Sequence, residues 1–174
     1  FLDKNNIEII STGGTKKILQ ENNINVISVS EITKQKEVMN GRVKSLHPKI
    51  FGGILADRNN ETHINDLLEM GGKTIDMVVV NLYPFKSEAI DKKLSLDKAI
   101  EYIDIGGPSM LRAGAKNYKD IIPLCNPKQY DDFMTSFSAN KGIIELDKRI
   151  DYASKVFKLV MNYNTDISNY FSKN

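Results

Sequence analysis

Short apolar runs alternate with amphipathic stretches along most of this chain, and the alternation predicts its architecture. Ile7-Glu8-Ile9-Ile10 ends in Ser11-Thr12-Gly13-Gly14, and Lys16 to Asn22 then carries Ile18 and Leu19 at helical spacing, which reads as strand, glycine turn, helix. Asn25–Ser28, Met77–Val80 and Ile121–Cys125 read as further strands, with Pro123 pushing the last toward an edge. Helical patterns cover Ile64–Met70, Leu96–Ile103 after Ser95, Pro108–Lys116 with Pro108 opening the helix, and Lys128–Phe137. Strand and helix alternate, so the expected fold is α/β: a Rossmann-like, three-layer parallel sheet with helices on both faces. From Ile144 to Tyr170 apolar residues recur every three or four positions, predicting a C-terminal helical extension.

A length of 174 residues with 41% hydrophobic content fits a single domain over 1–174, with an α/β core over about 1–126 and a helical part over 127–174. The net charge of +2, without a Lys/Arg block, argues against a nucleic-acid partner, so any bound anion is expected to be small. No apolar run approaches the ~20 residues that span a bilayer and no signal peptide opens the chain, so no membrane partner and a cytoplasmic location are expected. Cys125 stands alone and reads as a small buried residue. One cysteine and two histidines offer no metal-ligand spacing, so no metal is predicted.

Four segments at expected strand or helix ends carry the candidate chemistry, and ligands of parallel sheets bind beyond the carboxyl ends of the strands. Thr12-Gly13-Gly14-Thr15 reads equally as a phosphate cradle at a helix start or as an ordinary glycine turn capped by Thr15. In Asn40–Lys49, three cations crowd beside a Gly and a Pro; if Arg42-Val43-Lys44 is extended, Arg42 and Lys44 point to one side, toward one anion. His47 reads as a ligand, a base or a hydrogen-bonded structural residue. In Asn81-Leu82-Tyr83-Pro84-Phe85, Tyr83 is either a phenol fixed at the end of a strand or a packed ring. Asp104, ahead of Ile105-Gly106-Gly107-Pro108-Ser109, is either a reactive carboxylate or a turn cap.

Taken in this order, the four segments resemble the inosine monophosphate (IMP) cyclohydrolase domain family, a methylglyoxal-synthase-like fold joined in bifunctional purine-biosynthesis proteins to a formyltransferase. The resemblance implies that Thr12, Gly13, Gly14 and Thr15 hold the 5′-phosphate of a purine-pathway ribonucleotide. It makes Lys44 the catalytic lysine, with Arg42 and Ser45 flanking the nucleotide and Ser45 standing where Thr is more usual. Asn81 and Tyr83 match positions at the base and the reacting carbonyl. Asp104 becomes a catalytic carboxylate working with Lys116, and Ile105 and Gly106 line the substrate. A regular helix from Pro108 to Lys116 spans about 12 Å, which keeps Arg112, one turn earlier, open as the relevant cation. Phe51 stands where the family usually has histidine. The family begins with a strand, a serine-rich turn and a helix ahead of the position of Phe1, so the chain is expected to be N-terminally truncated, without a formyltransferase domain.

The implied reaction is closure of 5-formamidoimidazole-4-carboxamide ribonucleotide (FAICAR) to IMP with loss of water. It needs no cofactor, because both reacting groups lie on one molecule. A homodimer is implied for the full-length protein. The alternative function is a phosphorylated-effector-binding domain of the same fold that performs no chemistry, as in the regulatory domains of large carbamoyl-phosphate synthetases.

Overall fold

The computed structural model describes residues 1–173 and forms two compact units, Phe1–Ile75 and Asp76–Asn174. Parallel pairing is present in both, as two short ladders and not one long run of strands.

In the first unit, β1 (Ile10–Ser11) leads into helix α1 (Gly13–Glu21) and pairs with β2 (Ile27–Ser28), Ile10 facing Ile27 and Ser11 facing Ser28. Helix α2 (Val29–Thr33) follows at once, opened by a capping box in which the Glu31 carboxylate accepts from the Ser28 N–H at 3.0 Å. After a 3-10 turn at Met39–Gly41 come α3 (Pro48–Leu55) and α4 (Glu61–Glu69). Pro48 opens α3, where its missing N–H costs nothing, and the Asn60 side chain caps α4 by accepting from the His63 N–H. Val29, Ile50, Ile54 and Leu67 are the buried apolar anchors.

In the second unit, β3 (Met77–Val79) pairs with β4 (Ile122–Leu124), and Pro123 stands opposite Val78. The ladder bonds come from its neighbours: the Ile122 N–H donates to the Asp76 carbonyl and the Val80 N–H to the Leu124 carbonyl. The proline nitrogen faces away from the pair, where a missing donor is tolerated. Lys86–Ile90 forms one π-turn, followed by α5 (Leu96–Ala99), a 3-10 turn at Ile100–Tyr102, α6 (Gly106–Lys116), α7 (Tyr130–Ala139) and α8 (Leu146–Phe171). Helix α6 begins two residues before Pro108, which therefore sits third in the first turn, where no intrahelical partner is lost.

Helix α8 organises this unit. It packs on α6 and β4, and its buried Tyr152, Ala153, Val156, Val160, Tyr163 and Tyr170 lie along one stripe, spaced three, four or seven apart after the adjacent pair Tyr152-Ala153. At its start, the fully buried Tyr152 donates its hydroxyl to Asp132 of α7 at 2.7 Å, and Lys148 holds the other oxygen of that carboxylate at 2.6 Å. At its end, Tyr163 and Tyr170 join Phe85, Ala89 and Ala99 in a second apolar cluster that also takes in Leu82, Tyr102 and Ile103.

Candidate active site

The glycine turn of the first unit is the helix start that its sequence suggests, with the cap three residues earlier than Thr15. Thr12, extended at φ −140°, is the N-cap residue, and Gly13 and Gly14 are already helical in sequence position. Gly13 takes φ +56°, a conformation that a side chain disfavours, and a Cβ there would meet the Lys44 ammonium at 3.1 Å. Gly13, Gly14 and Thr15 are exposed, so the first N–H groups of α1, which no helix satisfies internally, face solvent. The turn is thus an accessible positive helix end with a lysine held over it.

That lysine arrives by a turn, so the condition of an extended Arg42-Val43-Lys44 is not met. Val38 and Val43 form an antiparallel bridge closed by the 3-10 turn at Met39–Gly41, and Arg42 takes helical angles of φ −65° and ψ −28°. The Asn-Gly turn wins over the alternating pattern, so Arg42 and Lys44 do not share a strand face. Arg42 is exposed, Lys44 half-buried and Ser45 buried. The third cation goes elsewhere: the Lys49 ammonium lies 3.3 Å from the place a Cβ on Gly71 would occupy, at the carboxyl end of α4, where positive charge is favoured. His47 is structural, its Nδ1 accepting from the Lys49 N–H at 3.1 Å as the cap of α3. His63 similarly accepts from the Asp57 N–H. Phe51 lies half-buried on α3.

One residue at this turn escaped the sequence reading. The Thr12 hydroxyl, free of any capping role, donates to Glu37 Oε1 at 3.1 Å, and Glu37 Oε2 lies 3.6 Å from the position a Cβ on Gly41 would take. A carboxylate therefore occupies the place beside Thr12 and Lys44 that suits an anion. The only sequence signal is an acid one residue before the Val38 bridge.

In the second unit, the segment after β3 is fixed by Phe85. Its ring is 1% exposed and meets Tyr163 and Tyr170 edge-on, at centroid distances of 6.4 and 5.6 Å. Tyr83, two residues earlier, is 58% exposed, so its phenol is presented to solvent and is not a packing ring. The Asn81 amide donates to the Tyr130 hydroxyl at 3.0 Å.

Asp104 is held at both ends. Its Oδ1 accepts from the Gly107 N–H at 2.8 Å, the capping geometry that its position before α6 allows, while its own N–H donates to the Tyr163 hydroxyl at 2.8 Å. A Cβ on Gly107 would stand 2.4 Å from Asp104 Oδ2 and 3.0 Å from Leu82, so only glycine leaves room for this carboxylate. Ile105 is exposed and Gly106 half-buried at the same helix start.

Lys116 is not brought to Asp104. It stands at the far end of α6, whose 11 residues run about 16 Å at ~1.5 Å each. There it borders an open cavity of about 550 Å³ with Tyr118, Ile150, Ser154 and Phe157. Arg112 is also engaged elsewhere, its guanidinium over the Phe157 ring at 5.9 Å. Cys125 is buried, and its burial pushes the thiol pKa up, as expected of an inert packing residue. Among the described residues, no cluster of three or more His, Cys, Asp or Glu side chains is arranged to hold a metal, and no helix is long and apolar enough to cross a membrane.

Residues 1–109 match the family described as MGS-like domain. The chain belongs to that family. The remainder of this MGS-like chain, residues 114–174, matches the family described as AICARFT/IMPCHase bienzyme. It is 48% identical, over 98% of its length, to the bifunctional purine biosynthesis protein PurH of Brachyspira hyodysenteriae, and 46% identical over 99% to that of Leptospira biflexa. It spans about a third of the length of these relatives, 33% and 34% respectively. A crystal structure of ForH superposes with a TM-score of 0.79 at 28% identity, covering 95% of this chain and 86% of that one. The α/β class expected from the alternating pattern and the MGS-like fold implied by the resemblance are therefore established.

Proposed function

We propose that this chain is an IMP cyclohydrolase: it binds FAICAR and closes its second ring, the carboxamide nitrogen forming a bond to the formyl carbon and water leaving. The single observation that carries the reading is the similarity to PurH proteins across nearly the whole chain, joined to the match of residues 114–174 to the bifunctional enzyme's own family. The exposed start of α1, with Lys44 over Gly13, suits the nucleotide phosphate. In binding, that phosphate takes the place beside Thr12 that Glu37 holds in its absence. Arg42 and Ser45 assist from the adjoining turn.

The reacting end of the substrate falls to Tyr83, Asn81 and Asp104. Exposed Tyr83 donates toward the formyl oxygen as negative charge develops there, and Asp104 Oδ2 takes the proton from the carboxamide nitrogen. Oδ1 is committed to Gly107, which leaves one carboxylate oxygen aimed by the backbone. The reaction needs no redox or group-carrying chemistry, since nucleophile and electrophile are already on one molecule. Lys116 works, on this reading, away from Asp104 and not as its immediate proton partner. A cytoplasmic location and, for the full-length protein, a homodimer accompany the proposal, and light scattering on the full-length protein reads the oligomeric part of it.

Ultraviolet absorbance during incubation with FAICAR tests the function. The proposal expects IMP to form, Asp104→Asn to slow turnover by about 10²-fold or more, and Lys44→Ala to weaken nucleotide binding more than turnover. IMP bound tightly with no conversion of FAICAR would overturn it in favour of an effector-binding domain.

A further inference from the structure

We propose that Tyr163, on the C-terminal helix and distant in sequence from every motif, is a positioning residue that holds Asp104 at its working place. Three observations on the second unit converge on this side chain. Its hydroxyl accepts from the Asp104 N–H at 2.8 Å and donates to the Tyr102 carbonyl at 3.2 Å, so it bridges the two ends of the loop that enters α6. Its ring meets Phe85 edge-on, the residue that fixes the Asn81–Phe85 segment carrying Tyr83. It is 8% exposed, and burial raises the pKa of its hydroxyl, which keeps the proton needed for the bond to Tyr102 in place.

Asp104 thus sits between two backbone anchors. Gly107 draws its side chain toward α6, and Tyr163 fixes its main chain from α8. Without the hydroxyl, the Asp104 N–H and the Tyr102 carbonyl both lose a partner in a part-buried place, and the loop is free to shift. A carboxylate that must meet one N–H proton within hydrogen-bond reach tolerates little displacement. The catalytic part of this inference rests on the proposed cyclohydrolase reading; the positioning contact itself does not.

Tyr170 supplies the control. It lies on the same helix and packs on the same Phe85 at 5.6 Å, but its hydroxyl donates to the Leu94 carbonyl, away from Asp104. Tyr163→Phe and Tyr170→Phe each remove one hydroxyl and leave the ring contacts. We expect Tyr163→Phe to lower kcat for IMP formation about tenfold with KM changed less than twofold, and to speed amide hydrogen exchange at Asp104 and Gly107. Tyr170→Phe should change neither, even where it lowers the melting temperature as much. Unchanged exchange at Asp104 in Tyr163→Phe would overturn the positioning role. Faster exchange with an unchanged kcat, or equal kcat losses in the two variants, would reduce Tyr163 to a structural residue and overturn its catalytic importance. If the unaltered chain converts no FAICAR, the cyclohydrolase reading fails by itself, and the exchange comparison still decides the contact.

Discussion

The two units hold their candidate residues in opposite ways. In the first, the glycine turn and the Arg42–Ser45 segment depend on local chain geometry: a positive φ at Gly13, a bridge between Val38 and Val43, and long side chains reaching over exposed backbone. In the second, the Tyr83 and Asp104 segments depend on remote packing, with Tyr163 and Tyr170 of α8 gripping them from about 60 to 85 positions away in sequence. The difference fits the tasks proposed for them. A phosphate is a large, multiply charged target that exposed N–H groups and a movable lysine can follow, whereas a proton transfer needs a carboxylate and a phenol held to within fractions of an ångström.

The largest effect should come from breaking the packed arrangement. Phe85→Ala removes a fully buried ring and its two edge-on contacts, a loss of about 3–5 kcal/mol that chemical denaturation would record. A change below about 1 kcal/mol would mean that α8 does not secure this segment. Next, Gly107→Ala should leave the fold in place at a cost of about 1–3 kcal/mol while displacing Asp104, because the new methyl group cannot share space with Oδ2. Turnover measured beside thermal melting should then fall by about tenfold or more; an unaltered kcat would show that the carboxylate's place does not matter.

Smaller effects sharpen the contrast. Glu37→Gln removes the carboxylate beside Thr12 and should tighten IMP binding by about threefold, ~0.6 kcal/mol by calorimetry, without altering turnover; weaker binding would assign Glu37 a supporting role instead. Asp132 gives the smallest. Hydrogen bonds from Lys148 and then Tyr152 hold its carboxyl below its ordinary pKa of 3.8. The native state therefore binds this proton less readily than the unfolded chain, so the contribution is present above that value and fades as pH falls through the lowered one. The difference in stability between the unaltered protein and Asp132→Asn should shrink as pH drops below about 4, and a constant difference would remove Asp132 from the support of α8.

The contrast also explains what the sequence could reveal. Local rules located β1, the turn at Gly13 and the helical stripe that became α8, because each rests on neighbours in the chain. They left the path of Arg42–Lys44 open, since the alternation of cation, valine and cation looks the same whether the chain runs straight or turns at Gly41. Helix α3 was hidden by Gly52 and Gly53, poor helix formers that tertiary packing overrides. The Ser28-Val29-Ser30-Glu31 box announced α2 and was legible but unread. Tyr163 and Tyr130 left no signal near the motifs they touch, because a hydrogen bond across 59 or 49 positions has no periodicity.

One paired measurement tests the division of labour most directly: kcat for IMP formation and Kd for IMP in Gly13→Ala and Asp104→Asn. The account predicts that Gly13→Ala weakens binding about tenfold and nearly spares kcat, since it strains the phosphate turn and crowds Lys44, while Asp104→Asn lowers kcat by about 10²-fold or more and nearly spares Kd. The reverse pattern, or equal losses of both quantities in the two variants, would contradict it.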